Sequence, residues 1–321
     1  MEQDLELDRL GLAFGGSVSA DGRVWLERLP GLVGSLRADW GLRRIGRPYA
    51  GGSGAWVAPV ELDSGERAVL KVGFPHREAR AEAYGLRRWD GNGAVRLLRH
   101  DVERTAYLLE PCEPGTKLGD ASELGAEARL RIGAGLLRRL WLPVETGETD
   151  EADAPPPAES VAEQMGWWAD MAEDRLALLP AEADAGLVRG CLDLLRTLPA
   201  SVPASRSVLL HGDFNPGNVL SAAREPWLAI DAKPLTGDPA FDPWPLLEQV
   251  DPPFALARPG AVLAARGALL GDELGLDPVR IFAWGAAKRT ESAVAVAAHE
   301  PDECLRILAE QTRTLADLAG L

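Results

Sequence analysis

Three oxygen-bearing side chains in the second half of the chain have the types and spacing of a phosphoryl-transfer site. Asp213 lies in the segment 211–218 (HGDFNPGN), Asn218 follows five residues later, and Asp231 comes thirteen residues beyond Asn218. In phosphoryl transfer, a carboxylate accepts the proton of the attacking hydroxyl, while an amide oxygen and a second carboxylate hold Mg²⁺. The spacing therefore predicts Asp213 as the catalytic group, and Asn218 and Asp231 as magnesium ligands, of an enzyme that uses ATP.

The flanking sequence separates this interpretation from a purely structural one. A loop could use the same residue types only to form Asx turns, and HGD alone is uninformative. Here HGDxxxxN follows an apolar run at 208–210, and Asp231 follows a second run at 227–230. Two strands with this motif between them favour the catalytic interpretation.

A lysine inside an apolar strand supplies a candidate cation for the nucleotide. Lys71 lies in the run 68–72 (AVLKV), where an unpaired ammonium would be costly unless it meets an anion. We predict that Lys71 reaches the α- and β-phosphates. Glu82 is the favoured partner that orients it, with Glu78 as the alternative, although both acids could also lie on a solvated helix face.

A glycine-rich segment precedes the strand that leads to this lysine. The segment comprises Gly51, Gly52, Ser53 and Gly54. Its backbone amides could cover phosphate groups, because glycine lets the chain approach an anion closely. A plain flexible turn is the alternative, and the position of the segment favours nucleotide binding.

Composition narrows the classes of partner. The 321 residues carry a net charge of -15 with a pI near 4.8, which argues against nucleic acid or an anionic membrane and suits a cationic small molecule. An acidic balance is also typical of an ordinary solvated surface. Length and a 46% hydrophobic content favour two lobes, predicted at 1–111 and 112–321.

Cysteines, histidines and the N-terminus indicate a cytoplasmic enzyme. The three cysteines (Cys112, Cys191 and Cys304) form no CxxC pair, which is typical of a reducing compartment. The four histidines are scattered, so any metal should be bound by oxygen. The acidic start of the chain and the lack of a long apolar run predict neither export nor membrane insertion.

Apolar patterning predicts an α+β fold with a small antiparallel sheet and a larger helical lobe. The predicted N-terminal elements are a turn-rich stretch, strands at 56–60 and 67–72, one helix at 76–89, and strands at 95–98 and 105–110. The predicted C-terminal elements are helices at 124–142 and 161–179, the two short strands around the motif, and helices from about 243. The Pro-rich, acidic segment 145–160 is predicted to be a mobile surface loop.

With these residues in place, the chain resembles the aminoglycoside phosphotransferase branch of the protein-kinase-like fold, within it the streptomycin 6-kinase and hydroxyurea phosphotransferase group. The matching segments are 51–60, 69–72, 82–83, 89–98, 109–110, 113–115, 211–218, 229–234 and 237–242. The resemblance implies a bilobal fold with ATP at the lobe junction and adenine contacting backbone near Glu110 to Cys112. It also implies Mg²⁺ at Asn218 and Asp231.

The same resemblance favours a small hydroxyl acceptor, an aminoglycoside of the streptomycin type first, with an amino sugar or hydroxyurea as alternatives. Only ten residues separate Asp231 from Asp242, too few for the activation loop of a protein kinase. A catalytically silent nucleotide-binding module is the alternative from another class. Asp238 and Asp242 are interpreted as structural acids that brace the catalytic loop.

Acidic residues of the C-terminal helices are the candidates for the acceptor pocket. They are Glu248, Glu291 and Glu300, with Trp284 as a stacking surface. The tandem Trp167 and Trp168 are interpreted as core residues.

Overall fold

Five antiparallel strands form the sheet of the N-terminal lobe, in the order β1-β2-β3-β5-β4. The computed structural model describes residues 20–50, 54–144 and 157–321. The strands are β1 (Leu42–Ile45), β2 (Ala55–Leu62), β3 (Arg67–Gly73), β4 (Leu97–Asp101) and β5 (Ala106–Leu109). Alternate residues of β2 are buried, as expected for a strand with one face on a core. The prediction of a small antiparallel sheet is confirmed.

A long helix, α1 (Ala20–Trp40), packs on this sheet and was wrongly predicted as part of a turn-rich stretch. Pro30 inside the helix and glycines at 31 and 34 disfavour a helical interpretation. The buried apolar residues nevertheless recur every three or four positions: Trp25, Leu29, Val33, Leu36 and Trp40. They form a separate core cluster with the sheet, so burial of this stripe outweighs the weak helix propensity.

The second N-terminal helix, α2 (Glu82–Trp89), packs against the core of the C-terminal lobe. The predicted helix 76–89 was too long at its start, since residues Arg77–Ala79 form a separate 3₁₀ turn. The Trp89 indole donates to the Leu140 carbonyl at 2.8 Å, and its ring stacks on His211 with centroids 6.2 Å apart. This helix therefore holds Glu82, its one acidic residue, at a fixed place relative to the segment 211–218.

Helices dominate the rest of the chain, as predicted. Their bounds are α3 (Ala126–Leu140), α4 (Val161–Glu173), α5 (Ala185–Ala200), α6 (Pro243–Gln249), α7 (Pro259–Leu274), α8 (Pro278–Val296), α9 (Pro301–Arg306) and α10 (Arg313–Ala319), with a π-helical segment at Ile307–Thr312. The predicted helix 161–179 ends earlier than expected, at Glu173. No helix within the described residues is both long and apolar enough to cross a membrane.

Short strands position the catalytic segment. They are β6 (Leu142–Pro143), β7 (Glu159–Ser160), β8 (Val208–Leu210), β9 (Val219–Ser221), β10 (Trp227–Ala229) and β11 (Leu235–Gly237). Strands β9 and β10 form a hairpin, while β8 and β11 pair antiparallel. The segment 211–218 therefore leaves one sheet and enters another, and residues 230–234 return beside it.

The predicted mobile loop 145–160 is corrected at its C-terminal end, and residues 145–156 lie outside the described ranges. Strand β7 pairs parallel with β11. Ser160 then caps α4: its hydroxyl accepts from the Glu163 amide, and the Glu163 carboxylate accepts from the Ser160 amide. Paired backbone and a capping box fix residues that the composition alone assigned to a loop.

Candidate active site

A cleft of about 850 Å³ lies between the N-terminal sheet and the loops that follow β8 and β10. The residues singled out from the sequence that line it are Gly54, Lys71, Glu78, Glu82, Glu110, Cys112, Asn218 and Asp231, and Lys233 lines it as well. A cavity of this size matches those that hold drug-sized ligands and cofactors.

Lys71 bonds two carboxylates, one from each lobe. Its ammonium is 2.6 and 2.7 Å from the two oxygens of Glu82 and 2.5 Å from Oδ1 of Asp231. Burial alone would lower the pKa of the Lys71 ammonium, but the two carboxylates raise that pKa above its ordinary value. The same lysine lowers the pKa of the Asp231 carboxyl, against the effect of burial. Both groups are therefore charged at neutral pH.

Asp231 and Asn218 bring two oxygen ligands to the cleft. Asp231 has left-handed backbone geometry (φ 56°), a conformation that short polar side chains tolerate better than most. The side-chain amide of Asn218 donates to the backbone carbonyl of Asp213 at 3.0 Å, which joins Asn218 to the segment 211–218. In the described part of the chain, no group of three or more His, Cys, Asp or Glu side chains is arranged to hold a metal. A carboxylate and an amide oxygen suit Mg²⁺, which is commonly held by few protein ligands together with substrate phosphates.

The catalytic segment is held by Asp242. One carboxylate oxygen accepts from the His211 amide and the other from the Gly212 amide, both at 2.9 Å, and the Trp141 indole adds a third bond at 3.1 Å. Asp242 is almost fully buried. It braces the catalytic loop, as interpreted from the sequence. Asp238 does not: it binds Arg280 and Trp284 of α8, so that part of the interpretation was wrong.

The His211 ring is a structural group in this site. It is fully buried, Nε2 lies 3.0 Å from the Ile230 carbonyl, and Nδ1 accepts from the Asp213 amide at 3.3 Å. Burial lowers the pKa of the imidazole, so the ring is neutral. A neutral ring that donates from Nε2 satisfies both bonds and ties the catalytic loop to β10.

Gly212 lets two loops touch. Its φ is 81°, and a Cβ atom built at this position would lie 1.9 Å from the Lys233 carbonyl oxygen. The backbone amide of Lys233 donates to the carbonyl of His211, the residue before Gly212, at 2.8 Å. Only glycine fits, and the contact fixes the distance between Asp213 and Lys233.

A second lysine, to which the sequence assigned no role, bonds the predicted catalytic group. The Lys233 ammonium lies 3.2 Å from Oδ2 of Asp213 and 3.7 Å from Oε2 of Glu78. Burial would lower the pKa of this ammonium, but Asp213 and Glu78 raise it. Glu78 and Glu82 were rival partners for Lys71; in the structure Glu82 takes Lys71, and Glu78 takes Lys233. The only signal in the sequence was the position of Lys233, two residues after Asp231.

The remaining nucleotide-site predictions fall in different places. Gly54 lines the cleft, whereas Gly51, Gly52 and Ser53 lie outside the described residues. The Glu110 carboxylate binds Arg224 at 2.6 Å and the Arg96 amide at 2.9 Å, and Cys112 lines the same wall. Burial raises the pKa of the Cys112 thiol to about 12, so it is protonated and unsuited to nucleophilic chemistry. This wall is the segment to which adenine binding was assigned.

The sequence profile described as "Aminoglycoside/hydroxyurea antibiotic resistance kinase" matches residues 39–300. The chain belongs to this kinase family. The family resemblance inferred from the cleft residues is therefore confirmed.

Two relatives show how far the similarity extends. The chain is 36% identical over 288 residues to a streptomycin 6-kinase of Streptomyces glaucescens, which covers 89% of this chain and 88% of that protein. It is 38% identical over 291 residues to a hydroxyurea phosphotransferase of Kitasatospora aureofaciens, covering 88% and 77% of the two chains.

Solved structures agree in fold at much lower identity. Choline kinase LicA from Streptococcus pneumoniae superposes with a TM-score of 0.58 at 14% identity, covering 91% of this chain and 99% of LicA. A complex of LicA with AMP gives a TM-score of 0.55 over 90% of this chain. The bilobal, protein-kinase-like α+β fold of this family member is thus confirmed.

The acceptor candidates of this family member differ in their surroundings. Trp284 is wrong as a stacking surface: it is fully buried and its indole donates to Asp238 at 2.6 Å. Glu248 is largely buried and forms an ion pair with Arg289 at 2.5 Å. Glu300 is exposed at the start of α9. Glu291 is partly buried; burial raises the pKa of its carboxyl, Arg175 lowers it, and Glu78 raises it, and its acceptor role stays a prediction.

The tandem tryptophans separate into two environments. Trp168 packs against the main core, as predicted, but Trp167 is 40% exposed. The Arg77 guanidinium lies 5.4 Å from the Trp167 ring and donates to Glu159 at 2.7 Å. The prediction that both rings belong to the core was therefore wrong for Trp167.

Proposed function

We propose that this kinase transfers the γ-phosphoryl group of ATP, with Mg²⁺, to a hydroxyl of an aminoglycoside of the streptomycin type. The observation that carries the proposal is the pair formed by Lys71 and Asp231 across the cleft, with Glu82 behind the lysine. A cation and an oxygen ligand at this distance match the needs of a metal-bound triphosphate. Gly54, Glu110 and Cys112 would border the nucleotide, together with the glycine-rich segment before Gly54.

Each residue has a defined task in the transfer. Asp213 would orient the acceptor hydroxyl and take its proton. The acceptor oxygen would form a bond to the γ-phosphorus as the bond from that phosphorus to the bridging oxygen breaks, and ADP would leave with the electron pair. Asn218 and Asp231 would hold Mg²⁺, which supplies neutralisation of the phosphate charge. Lys71, kept in place by Glu82, would bind the α- and β-phosphates.

Acids on the acceptor side support a cationic substrate. Glu78 lines the cleft, and Glu291 of α8 is partly buried. Burial raises the pKa of the Glu291 carboxyl, Arg175 lowers it, and the charge of Glu78 raises it. Two acids in one region would attract a guanidinium or ammonium group. The relatives named as streptomycin 6-kinases support the same acceptor class.

Hydroxyurea is the second candidate acceptor. The relative named hydroxyurea phosphotransferase has the highest identity of the two described above and aligns with 88% of the chain. Hydroxyurea is small and neutral, so it would make little use of Glu291. Dependence of turnover on this acid therefore separates the two acceptors.

The experiment measures ADP formation by the purified chain with ATP, Mg²⁺ and one acceptor at a time. The acceptors are streptomycin, other aminoglycosides, an amino sugar and hydroxyurea, and Asp213→Ala is the matched inactive control. We expect streptomycin to stimulate turnover, with loss of at least about 100-fold in the variant. Stimulation by hydroxyurea alone would replace the acceptor. Equal turnover by the wild type and Asp213→Ala would overturn the catalytic assignment.

We also propose the boundary between the lobes and the location of the protein. The lobes are taken as residues 1–111 and 112–321, supported by the end of β5 at Leu109. A cytoplasmic location is supported by the three cysteines, which are all free, and would suit an enzyme that consumes ATP.

A further inference from the structure

The chain uses lysine sparingly, and the structure gathers its lysines near one place. The sequence has four lysines and 30 arginines. Lys71, Lys117 and Lys233 line the cleft, and the fourth, Lys288, lies within electrostatic range of Asp213 and Lys233. Ion pairs on the rest of the described surface are formed by arginine. A compact, three-donor ammonium, rather than a planar guanidinium, is thus kept for the cleft.

Lys233 and Lys71 each contact two acids, in two neighbouring clusters. Each ammonium contacts one acid of the segment 78–82 and one acid from the loops of the C-terminal lobe. Glu82 begins α2, and Glu78 lies four residues earlier, in the 3₁₀ turn before this helix. Lys71 contacts Asp231, the proposed metal ligand, whereas Lys233 contacts Asp213, the proposed catalytic group.

We infer that Lys233 is a second phosphate-binding lysine, which contacts the γ-phosphoryl group that is transferred while Lys71 contacts the α- and β-phosphates. The inference rests on the proposed function and assigns a further binding residue to the same site. In the proposed transfer, Asp213 directs the acceptor hydroxyl at the γ-phosphorus. An ammonium 3.2 Å from Asp213 can therefore reach the oxygens of the γ-phosphoryl group. Its backbone is fixed by the contact between the Lys233 carbonyl and Gly212. The Lys233 side chain is about one-third exposed, which leaves room for a ligand.

The contacts also explain why Glu78 does not cancel this role. Oε2 of Glu78 is 3.7 Å from the Lys233 ammonium, a longer and weaker contact than the one to Asp213. Gln164 donates to the other oxygen of Glu78 at 3.0 Å and so holds the acid beside the cleft. A γ-phosphate, with more charge than one carboxylate, would replace Glu78 as the stronger partner of the lysine.

The test compares the affinities for ATP and ADP by calorimetry with Mg²⁺ and without any acceptor. In the wild type we expect ATP to bind more tightly than ADP. Lys233→Met should lower the affinity for ATP about tenfold and that for ADP less than twofold, because only ATP has the contacted group. Lys71→Met should weaken both nucleotides, and Lys117→Met, which removes a charge from the same cleft, should change both by the same small factor.

Two further variants separate phosphate binding from a structural role. Lys233→Arg keeps the charge and should retain part of the preference for ATP. Glu78→Gln removes one carboxylate partner but keeps the ammonium, and it should retain the whole preference. Melting temperatures of all variants identify any that fail to fold, in which case these two decide the result.

The possible results lead to separate conclusions. Equal losses for ATP and ADP in Lys233→Met, or loss of the preference in Glu78→Gln, would overturn the role of Lys233. A preference that depends on Lys233 in a chain that does not phosphorylate streptomycin would support this inference and reject only the acceptor. A wild-type chain that binds neither nucleotide would overturn both proposals.

Discussion

Glu78 and Glu82 lie four residues apart, and each contacts a different lysine of the cleft. Glu82 bonds Lys71 through both of its oxygens, and Glu78 contacts Lys233 at 3.7 Å. The two acids were alternatives for a single lysine in the sequence. Their separation into two clusters places two ammonium groups on this side of the cleft, as the proposed binding of a triphosphate requires.

The buried pair of Lys71 and Glu82 should be essential for nucleotide binding. Glu82→Gln keeps the shape of the side chain but removes its charge, so Lys71 should turn more fully to Asp231. We expect kcat/KM to fall by about 10- to 100-fold, with weaker ATP binding in calorimetry. Glu127→Gln, on the exposed face of α3, is the matched control and should leave both quantities unchanged. Unaltered ATP binding in Glu82→Gln would contradict the assigned role of this acid.

The contact between Gly212 and the Lys233 carbonyl should tolerate no side chain. In Gly212→Ala the added methyl group must push apart the two loops that carry Asp213 and Lys233. We expect a loss of several kcal/mol in the free energy of unfolding and a fall in kcat of more than about 100-fold. Gly275→Ala is the control: its φ is 68°, but nothing lies within 4 Å of the new Cβ.

The control isolates the effect of the loop contact. Gly275→Ala should cost only about 1 kcal/mol, from backbone strain, and should keep full activity. If chemical denaturation gives the same loss for both variants, the close approach of the two loops contributes nothing.

Glu291 should act on a cationic acceptor and not on the nucleotide. Glu291→Gln is expected to raise KM for streptomycin by about 5- to 10-fold and to leave KM for ATP unchanged, since one attractive charge is lost. Glu248→Gln is the comparison, because the charge of Glu248 is already paired with Arg289. Its main effect should be on stability. A rise in KM for ATP in Glu291→Gln would place this acid at the wrong end of the cleft.

The Lys288 ammonium should make stability depend on pH in the alkaline range. Burial lowers its pKa from 10.5 to about 8; Asp242, Asp213 and Glu248 oppose this effect, and Lys233 reinforces it. Between pH 8 and 10.5 the unfolded chain binds more protons at this side chain than the folded chain does. The contribution of Lys288 to the free energy of unfolding therefore rises with pH through that range. Below pH 8 the buried charge destabilises the fold by its full amount.

Lys288→Met removes that penalty together with the contact of the ammonium with the Phe241 ring, whose centroid is 3.5 Å away. The variant should gain up to about 3 kcal/mol on the wild type at pH 7, less the value of the ring contact, and the gain should shrink towards pH 10.5. Denaturant unfolding at a series of pH values measures the difference. A difference in the free energy of unfolding that stays constant from pH 7 to 10.5 would show that burial does not lower the pKa of Lys288.

The sequence predicted those parts of the site whose residues have a required spacing. Asp213, Asn218 and Asp231 could be proposed because metal and proton chemistry fixes both their types and their order. Asn218 and Asp231 line the cleft with Lys71, and Asp213 is joined to this group by its bonds with Asn218 and Lys233. The sequence favoured Glu82 over Glu78 as the partner of Lys71 but left both open, because the two acids are only four residues apart, and Asp231 and Lys233, which complete the two clusters, are distant in the sequence.

Other features depended on tertiary contacts that no local pattern reports. Trp284 is buried in the main core and bonded to Asp238, a residue 46 positions earlier, and neither contact can be predicted from α8 alone. Helix α1 forms despite Pro30 because the sheet covers its apolar stripe. The role inferred for Lys233 rests on a glycine with no side chain, whose importance appears only when the opposing carbonyl is in view.

The central claim is that Lys71, Lys233, Asn218 and Asp231 surround the triphosphate of ATP. A crystal structure with Mg²⁺ and a non-hydrolysable ATP analogue tests it most directly, through the distances from these side chains to the phosphates and the metal. We expect the Lys71 ammonium at the α- and β-phosphates, the Lys233 ammonium at the γ-phosphate, and the metal bound by oxygens of Asn218 and Asp231. An analogue bound outside the cleft, or a γ-phosphate turned away from Asp213, would contradict the account.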